Sequence, residues 1–229
     1  MPKIVDHDAR RDEIALAACK AIVKRGLKAV TLADVAKEAS CTTGMLAHYF
    51  NSKWDVILAA LRLMHVRLEK RLSHRLSEQD AELVDMLGDA LPTTAEHRAE
   101  IAAWLTFWGV AANTPDLLKS TAKLHTDWRR LIRRCLLETI QGARGWPNEL
   151  IEDVVSSIIL FMDGIYVKAL TRPSMYPAKE QVRLLKAHIE AMLDWARANA
   201  AKQMDIARRH HKASQMVPSK ADQRPQADQ

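Results

Sequence analysis

Seven glycines and eight prolines in 229 residues leave little material for turns, and aromatic side chains make up only 5% of the chain. Scarce turn residues and scarce aromatics set aside a strand-rich fold. Together with abundant Ala, Leu, Arg, Lys and Glu, they point to an all-α protein. Cysteine is also rare. Cys19, Cys41 and Cys135 are an odd number at wide spacing, which excludes a disulfide framework and a paired-cysteine zinc site. No metal or cofactor is expected. No apolar run approaches the roughly 18 residues of a membrane span, and the opening MPKIVDHDARR has no apolar stretch of a secretory leader. A cytoplasmic chain with reduced thiols and no membrane partner is expected.

Charge of one sign is missing from most of the chain. The net charge is +6, but residues 1–56 carry +2, residues 57–196 are neutral, and residues 197–229 carry +4. Bulk charge therefore argues for neither nucleic-acid nor membrane binding. Any such function has to be found in a local pattern.

The first such pattern is Thr31 to Lys53, TLADVAKEASCTTGMLAHYFNSK. Leu32, Val35, Ala36 and Ala39 recur at helical spacing, with Thr31 as N-cap and Asp34 in the capping-box position. After Ser40, Cys41 and Thr42, a second short helix runs from Thr43 to Tyr49. Two short helices on a three-residue turn suit a helix-turn-helix, whose second helix enters the DNA major groove. A plain helical hairpin has the same spacing. Thr31, Thr42 and Thr43 offer hydroxyls and helix-start amides to phosphates, Gly44 lets the backbone approach, and His48, Tyr49 and Lys53 reach the backbone from the far end. Of Met45 and Leu46, one faces a base edge while the other packs inward. Arg10 and Arg11 project from the start of a preceding helix, 8–25, toward the same phosphates.

The remaining helices are expected at 53–76, 79–91, 95–112, 116–141, 148–170 and 178 to about 205, with Gly or Pro segments ending most of them. The 53–76 helix is long enough to join a head to a separate body. Residues 1–52 form the head and 53–205 the body, and 206–229 is a basic tail that reads as disordered from about Ser214.

The second pattern lies in the body. Trp104, Phe107 and Trp108 sit at i, i+3 and i+4, putting three rings on one helix face. They are either ordinary core or an aromatic cage. Asp163 interrupts the most apolar helix, with Tyr166 one turn further along. A carboxylate there needs a cation or a donor, and the alternatives are a buried pair with Arg133, Arg134 or Lys168, or a ligand. Aromatic faces with one carboxylate suit a quaternary ammonium ion, held by cation–π contacts and Coulomb attraction. A catalytic set is not formed: Asp163, His125 and Cys135 lie on different helices with no motif spacing. A purely structural helical interaction protein is the remaining alternative class.

Thr31, Val35, Ala36, Ala39, Gly44, Phe50 and Lys53 match the head signature of the TetR family in register, and the chain resembles that family. Ser40 replaces the turn glycine, Cys41 a valine, and Ala47 a tyrosine that commonly contacts phosphate. The segment Gly44 to Phe50, the Trp104 to Trp108 motif and Asp163-Gly164-Ile165 are similar to the choline-responsive branch of the family. The resemblance implies a transcriptional repressor and no enzyme. As a homodimer it would bind double-stranded, palindromic operator DNA, and a small quaternary amine such as choline would release it, controlling betaine synthesis and osmoprotection. It places the dimer interface on the last two long helices, whose apolar stripes include Ile158, Ile159, Ile165, Leu184, Leu185, Ile189, Met192 and Leu193. Within the family, a hydrophobic or drug-like ligand is the alternative to choline.

Overall fold

The computed structural model describes residues 7–78 and 80–215. Among these run nine α-helices and one 3-10 turn, with no strand. In chain order they are α1 (His7–Arg25), α2 (Leu32–Glu38), α3 (Thr43–Tyr49), α4 (Lys53–Leu76), α5 (Leu83–Gly88), α6 (Ala95–Ala111), α7 (Pro115–Thr139), α8 (Asn148–Thr171) and α9 (Ala178–Gln215). The 3-10 turn, Ala143–Gly145, follows α7.

Local signals fix the ends of the head helices. Gly26, at φ +77°, closes α1 by donating its N–H to the Ile22 carbonyl at 2.7 Å. Glycine meets that left-handed conformation without a Cβ clash. Thr31 caps α2 in a complete capping box: the Asp34 N–H donates to Thr31 Oγ1 at 3.2 Å, and the Thr31 N–H donates to Asp34 Oδ2 at 2.9 Å. Thr42 caps α3 through the Met45 N–H at 3.2 Å, and Ser52 caps α4 through the Asp55 N–H at 3.1 Å. Between α2 and α3, Ser40 sits at φ +50°. It is the single non-glycine residue with positive φ among those described, at the position where the turn glycine was expected, and the strain amounts to about 1 kcal/mol.

One expected helix is much shorter. The 79–91 span holds only α5, and beyond it the chain closes in tight turns, with the Ala90 N–H donating to the Leu87 carbonyl and the Leu91 N–H to the Gly88 carbonyl. Gly88 lowers the helical preference there. The Asp89 carboxylate is bound by Arg75 of α4, at 2.8 and 3.3 Å. The last helix runs on to Gln215, past its expected end near 205. The rest of the expected tail, 216–229, lies outside the described residues.

Two hydrophobic cores form. The first joins α1, α2 and α3 to Val56, Ile57, Ala60, Leu61 and Met64 of α4, then crosses to Ala103, Phe107 and Ala111 of α6 and Leu124 of α7. The second is built from Leu72, α5, the later part of α7, α8 and α9. The head thus does not end at residue 52 in packing terms, because the helix that begins the body supplies much of its core. Within the second core Ile158, Ile165, Leu185, Ile189 and Leu193 are buried inside the subunit. They were expected on a dimer face, but they hold α8 and α9 to each other, with α9 also packed on α5. The outward faces of these two helices carry other apolar side chains: Leu160, 71% exposed, with Val167 on α8, and Trp195 on α9.

Candidate functional site

In the head, α3 is divided cleanly. Leu46 and Phe50 are buried, while Thr42, Thr43, Gly44, Met45, Ala47 and His48 are exposed. Met45 is the outward member of its pair with Leu46. Tyr49 is half-buried, its ring 4.6 Å from that of His7. Thr31 is exposed, and Lys53 opens α4 half-buried. Arg10 is half-buried beside the same surface, pairing with Glu13 at 2.5 Å and approaching the Met45 sulfur at 3.5 Å. Arg11 does not project outward as expected. Its guanidinium donates to the Tyr49 carbonyl and lies 4.5 Å from the centre of the Phe50 ring. That contact satisfies a carbonyl at the end of α3 and uses one of the five N–H donors of the Arg11 guanidinium.

In the body, a cavity of about 70 Å³ opens along the seam between the two cores. Trp104 and Trp108 of α6 line it, their ring centres 6.0 Å apart. From α8 come Asp163 and Tyr166, from α7 Leu124, His125 and Trp128, and from α4 His65 and Leu68. His125 stacks on Trp108 at 5.6 Å, and the ring of His65 meets that of Trp128 edge-on at 6.4 Å.

Phe107 is absent from this wall. It is fully buried in the first core, where its ring meets Trp54 of α4 edge-on at 6.1 Å. The reason is angular. Trp104 and Trp108 are about 40° apart around the helix, whereas Phe107 is turned about 100° from Trp108. The i, i+4 pair faces the cavity and the i+3 member faces the head.

The electrostatics of the cavity turn on Asp163. None of its expected partners reaches it: Arg133 pairs with Glu152 at 2.9 Å and Arg134 with Glu138 at 3.0 Å, and no ion pair involves Lys168 among the described residues. Burial alone pushes its carboxyl up to about 6. Tyr166 is buried, and its phenol is raised first by burial and then by the nearby Asp163 charge. His65 is lowered, chiefly by burial. Two polar atoms of the wall, Trp108 Nε1 and His65 Nε2, are buried without a hydrogen-bond partner among the described residues.

Three wall residues, Trp128, His125 and His65, did not emerge as ligand candidates from the sequence. His125 and Trp128 stand at i, i+3 on α7, so the ring-spacing argument applied to α6 would have found them. His65 interrupts the apolar face of α4, and the logic that singled out Asp163 applies to it as well. Among the described residues no group of His, Cys, Asp and Glu is arranged to hold a metal. No helix among them is long and apolar enough to cross a membrane.

Comparison with known proteins agrees with the fold and with a helix-turn-helix head. Residues 60–194 match the family described as BetI-type transcriptional repressor, C-terminal, and residues 14–60 match that of bacterial regulatory proteins, tetR family. The chain is similar to the HTH-type transcriptional regulator PksA of Bacillus subtilis, at 24% identity over 84% of this chain and 94% of that one. It is similar to the regulator BetI of Burkholderia thailandensis, at 26% identity over 84% of this chain and 98% of that one. Among solved structures, a putative transcriptional regulator from Saccharomonospora viridis in complex with choline superposes with a TM-score of 0.66 at 24% identity. That match covers 80% of this chain and 96% of the other.

Proposed function

The chain belongs to the tetR family of bacterial transcriptional regulators, with a BetI-type C-terminal domain, and from that premise we propose that it is a homodimeric repressor released from its operator by choline or a close quaternary amine. Its place would be the control of betaine synthesis and osmoprotection. The observation that carries this reading is the Asp163 carboxylate, which no cation meets among the described residues and which lines one cavity with Trp104, Trp108, Trp128 and Tyr166. A quaternary ammonium head supplies the missing charge without needing hydrogen-bond acceptors. Each ring face adds about 0.5–2 kcal/mol of cation–π attraction.

Release follows from the two faces of α6. Cavities that accept a benzene-sized guest measure about 150 Å³, roughly twice this one, so choline presses on the walls as it enters. Displacing Trp104 and Trp108 moves α6, and Phe107 on its adjacent face rests on Trp54 at the start of α4. The ligand thereby favours an arrangement in which the two α3 helices of a dimer no longer fit a palindromic site with half-sites about 34–36 Å apart or a related multiple. A coupling of about 1–3 kcal/mol gives a 5–150-fold loss of operator affinity. The outward apolar residues of α8 and α9, with Gly164 exposed among them, support those helices as the dimer face. Gly164 lets a partner helix approach closely.

The test compares choline with its neutral isostere, carbon in place of nitrogen, by calorimetry and operator binding. Choline weakens operator binding and the isostere does not. Equal effects would mean that the cavity selects shape rather than charge, and the hydrophobic or drug-like class of ligand would replace choline. For the head, Lys53→Ala reduces the salt slope of operator binding by about one and weakens all sequences alike. Met45→Ala and Thr43→Ala instead change base preference; a Lys53→Ala variant that altered preference at constant salt slope would reverse the assignment.

A further inference from the structure

Beside the aromatic cavity lies a second compartment of about 40 Å³, and the two share His65, Leu68, Ile101 and Trp104 as a common wall. Its other side is polar, formed by Arg71 of α4 with His97 and Glu100 of α6 and with Asp89. Asp89 is already bound by Arg75. Three atoms of the compartment, Arg71 Nε, His97 Nδ1 and His65 Nε2, are buried without a hydrogen-bond partner among the described residues. Arg71 Nε–H is a donor at every working pH, because a guanidinium does not lose its proton. Glu100 feels Arg71 and His97, yet burial dominates and raises its carboxyl.

We propose that this compartment is a second subsite, which takes a hydroxyl on a short arm of the ligand whose ammonium head lies among the rings next door. The inference rests on the reading of the aromatic cavity as an ammonium site. A hydroxyl suits this wall because it accepts and donates together, from Arg71 Nε–H and to Glu100. A methyl group in its place leaves Arg71 Nε–H buried and bare, and a carboxylate would stand against Glu100. Space agrees with the chemistry. About 40 Å³ admits a group of one to a few heavy atoms, since one water needs about 10–15 Å³ on this measure. The ligand class is thus a quaternary ammonium alcohol, distinguished from its alkyl and carboxylate relatives by the arm and not by the head.

Calorimetric titration of the full chain with choline, ethyltrimethylammonium and glycine betaine tests this. Wild-type protein binds choline about tenfold more tightly than either of the other two, the effect of one good buried hydrogen bond. In Arg71→Met and in Glu100→Gln the advantage over ethyltrimethylammonium falls to within about twofold, while ethyltrimethylammonium itself binds as before. The two variants lie on different helices, and thermal unfolding of each shows whether its fold is intact, so misfolding of one leaves the other informative. Equal affinity of choline and ethyltrimethylammonium for the wild-type chain, or a choline advantage that survives both substitutions, overturns the subsite and leaves the ammonium site standing. Glycine betaine matching choline overturns it too. Failure of both trimethylammonium alcohol and alkyl to bind at all removes the ammonium site, and this inference with it.

Discussion

The helix-turn-helix head and the cavity treat their polar groups in opposite ways. In the head, Thr31, Thr42 and Ser52 each close a helix start with a side-chain hydrogen bond, Asp34 returns one, and Lys24 and Arg25 of α1 pair with Glu38 and Asp34 of α2. Around the cavity and its annex, Asp163, Trp108 Nε1, His65 Nε2, His97 Nδ1 and Arg71 Nε have no such partner among the described residues. An unmatched buried polar group costs about 1–3 kcal/mol. A head that presents one fixed surface is closed within itself, whereas the cavity keeps polar groups free for whatever enters it.

The strongest test of that contrast lies on α6, which serves both regions. Phe107→Ala empties a fully buried site of the first core and should cost about 3–5 kcal/mol in chemical unfolding. Choline binding should survive it while the operator response is lost. Trp108→Ala should do the reverse, keeping operator binding in the absence of ligand and losing affinity for choline. If Phe107→Ala abolished choline binding without loss of stability, the two faces would have been assigned backwards.

Asp163→Asn separates ligand from fold in a different way. Because the native carboxyl is raised to about 6 from about 3.9 in an unfolded chain, the native state binds its proton more tightly. The charged group therefore destabilises the fold above pH 6, and the penalty is relieved as pH falls from 6 toward 4. The Asn variant should gain about 1 kcal/mol at pH 8, after allowance for solvent screening, and should lose the choline response. In the wild type, choline affinity should drop about tenfold between pH 7 and pH 5, as the ionised fraction falls. A pH-independent affinity would show that the charge of Asp163 does not hold the ligand.

The smaller tests probe the head. Thr42→Ala removes the cap of α3 and should cost about 1 kcal/mol in thermal unfolding. Ser40→Gly should move stability the other way by about 0.5–1 kcal/mol, since glycine accepts φ +50° without strain; a destabilised glycine variant would mean that the Ser40 side chain contributes more than its backbone costs.

The difference between the regions also explains what could be read from the sequence. Local chemistry specifies the head: the Thr31–Asp34 box, the Thr42 cap and the strained Ser40 all follow from residues within four positions of each other. The bounds of α3 and α4 agree with expectation for the same reason. The cavity is assembled from four helices, and periodicity reports only which residues share a face, not which neighbour the face meets. Trp104, Phe107 and Trp108 were grouped by spacing, but α1 and α4 claim Phe107 while α7 and α8 face the tryptophans. Arg11 shows the same limit, since its partners Tyr49 and Phe50 lie 38 and 39 positions away. Likewise, Leu185 and Ile189 form an apolar stripe whose partner proved to be the subunit itself.

Of the six tryptophans in the chain, Trp104, Trp108 and Trp128 line the one cavity, and Trp195 stands 43% exposed on the outward face of α9. Indole emission changes colour and yield with the polarity and charge around the ring. The protein therefore carries its own dyes, with Trp54 and Trp146 standing outside both places. A cation arriving among the cavity tryptophans should change their light, and replacing the remaining tryptophans one at a time assigns the signal to the cavity or to Trp195.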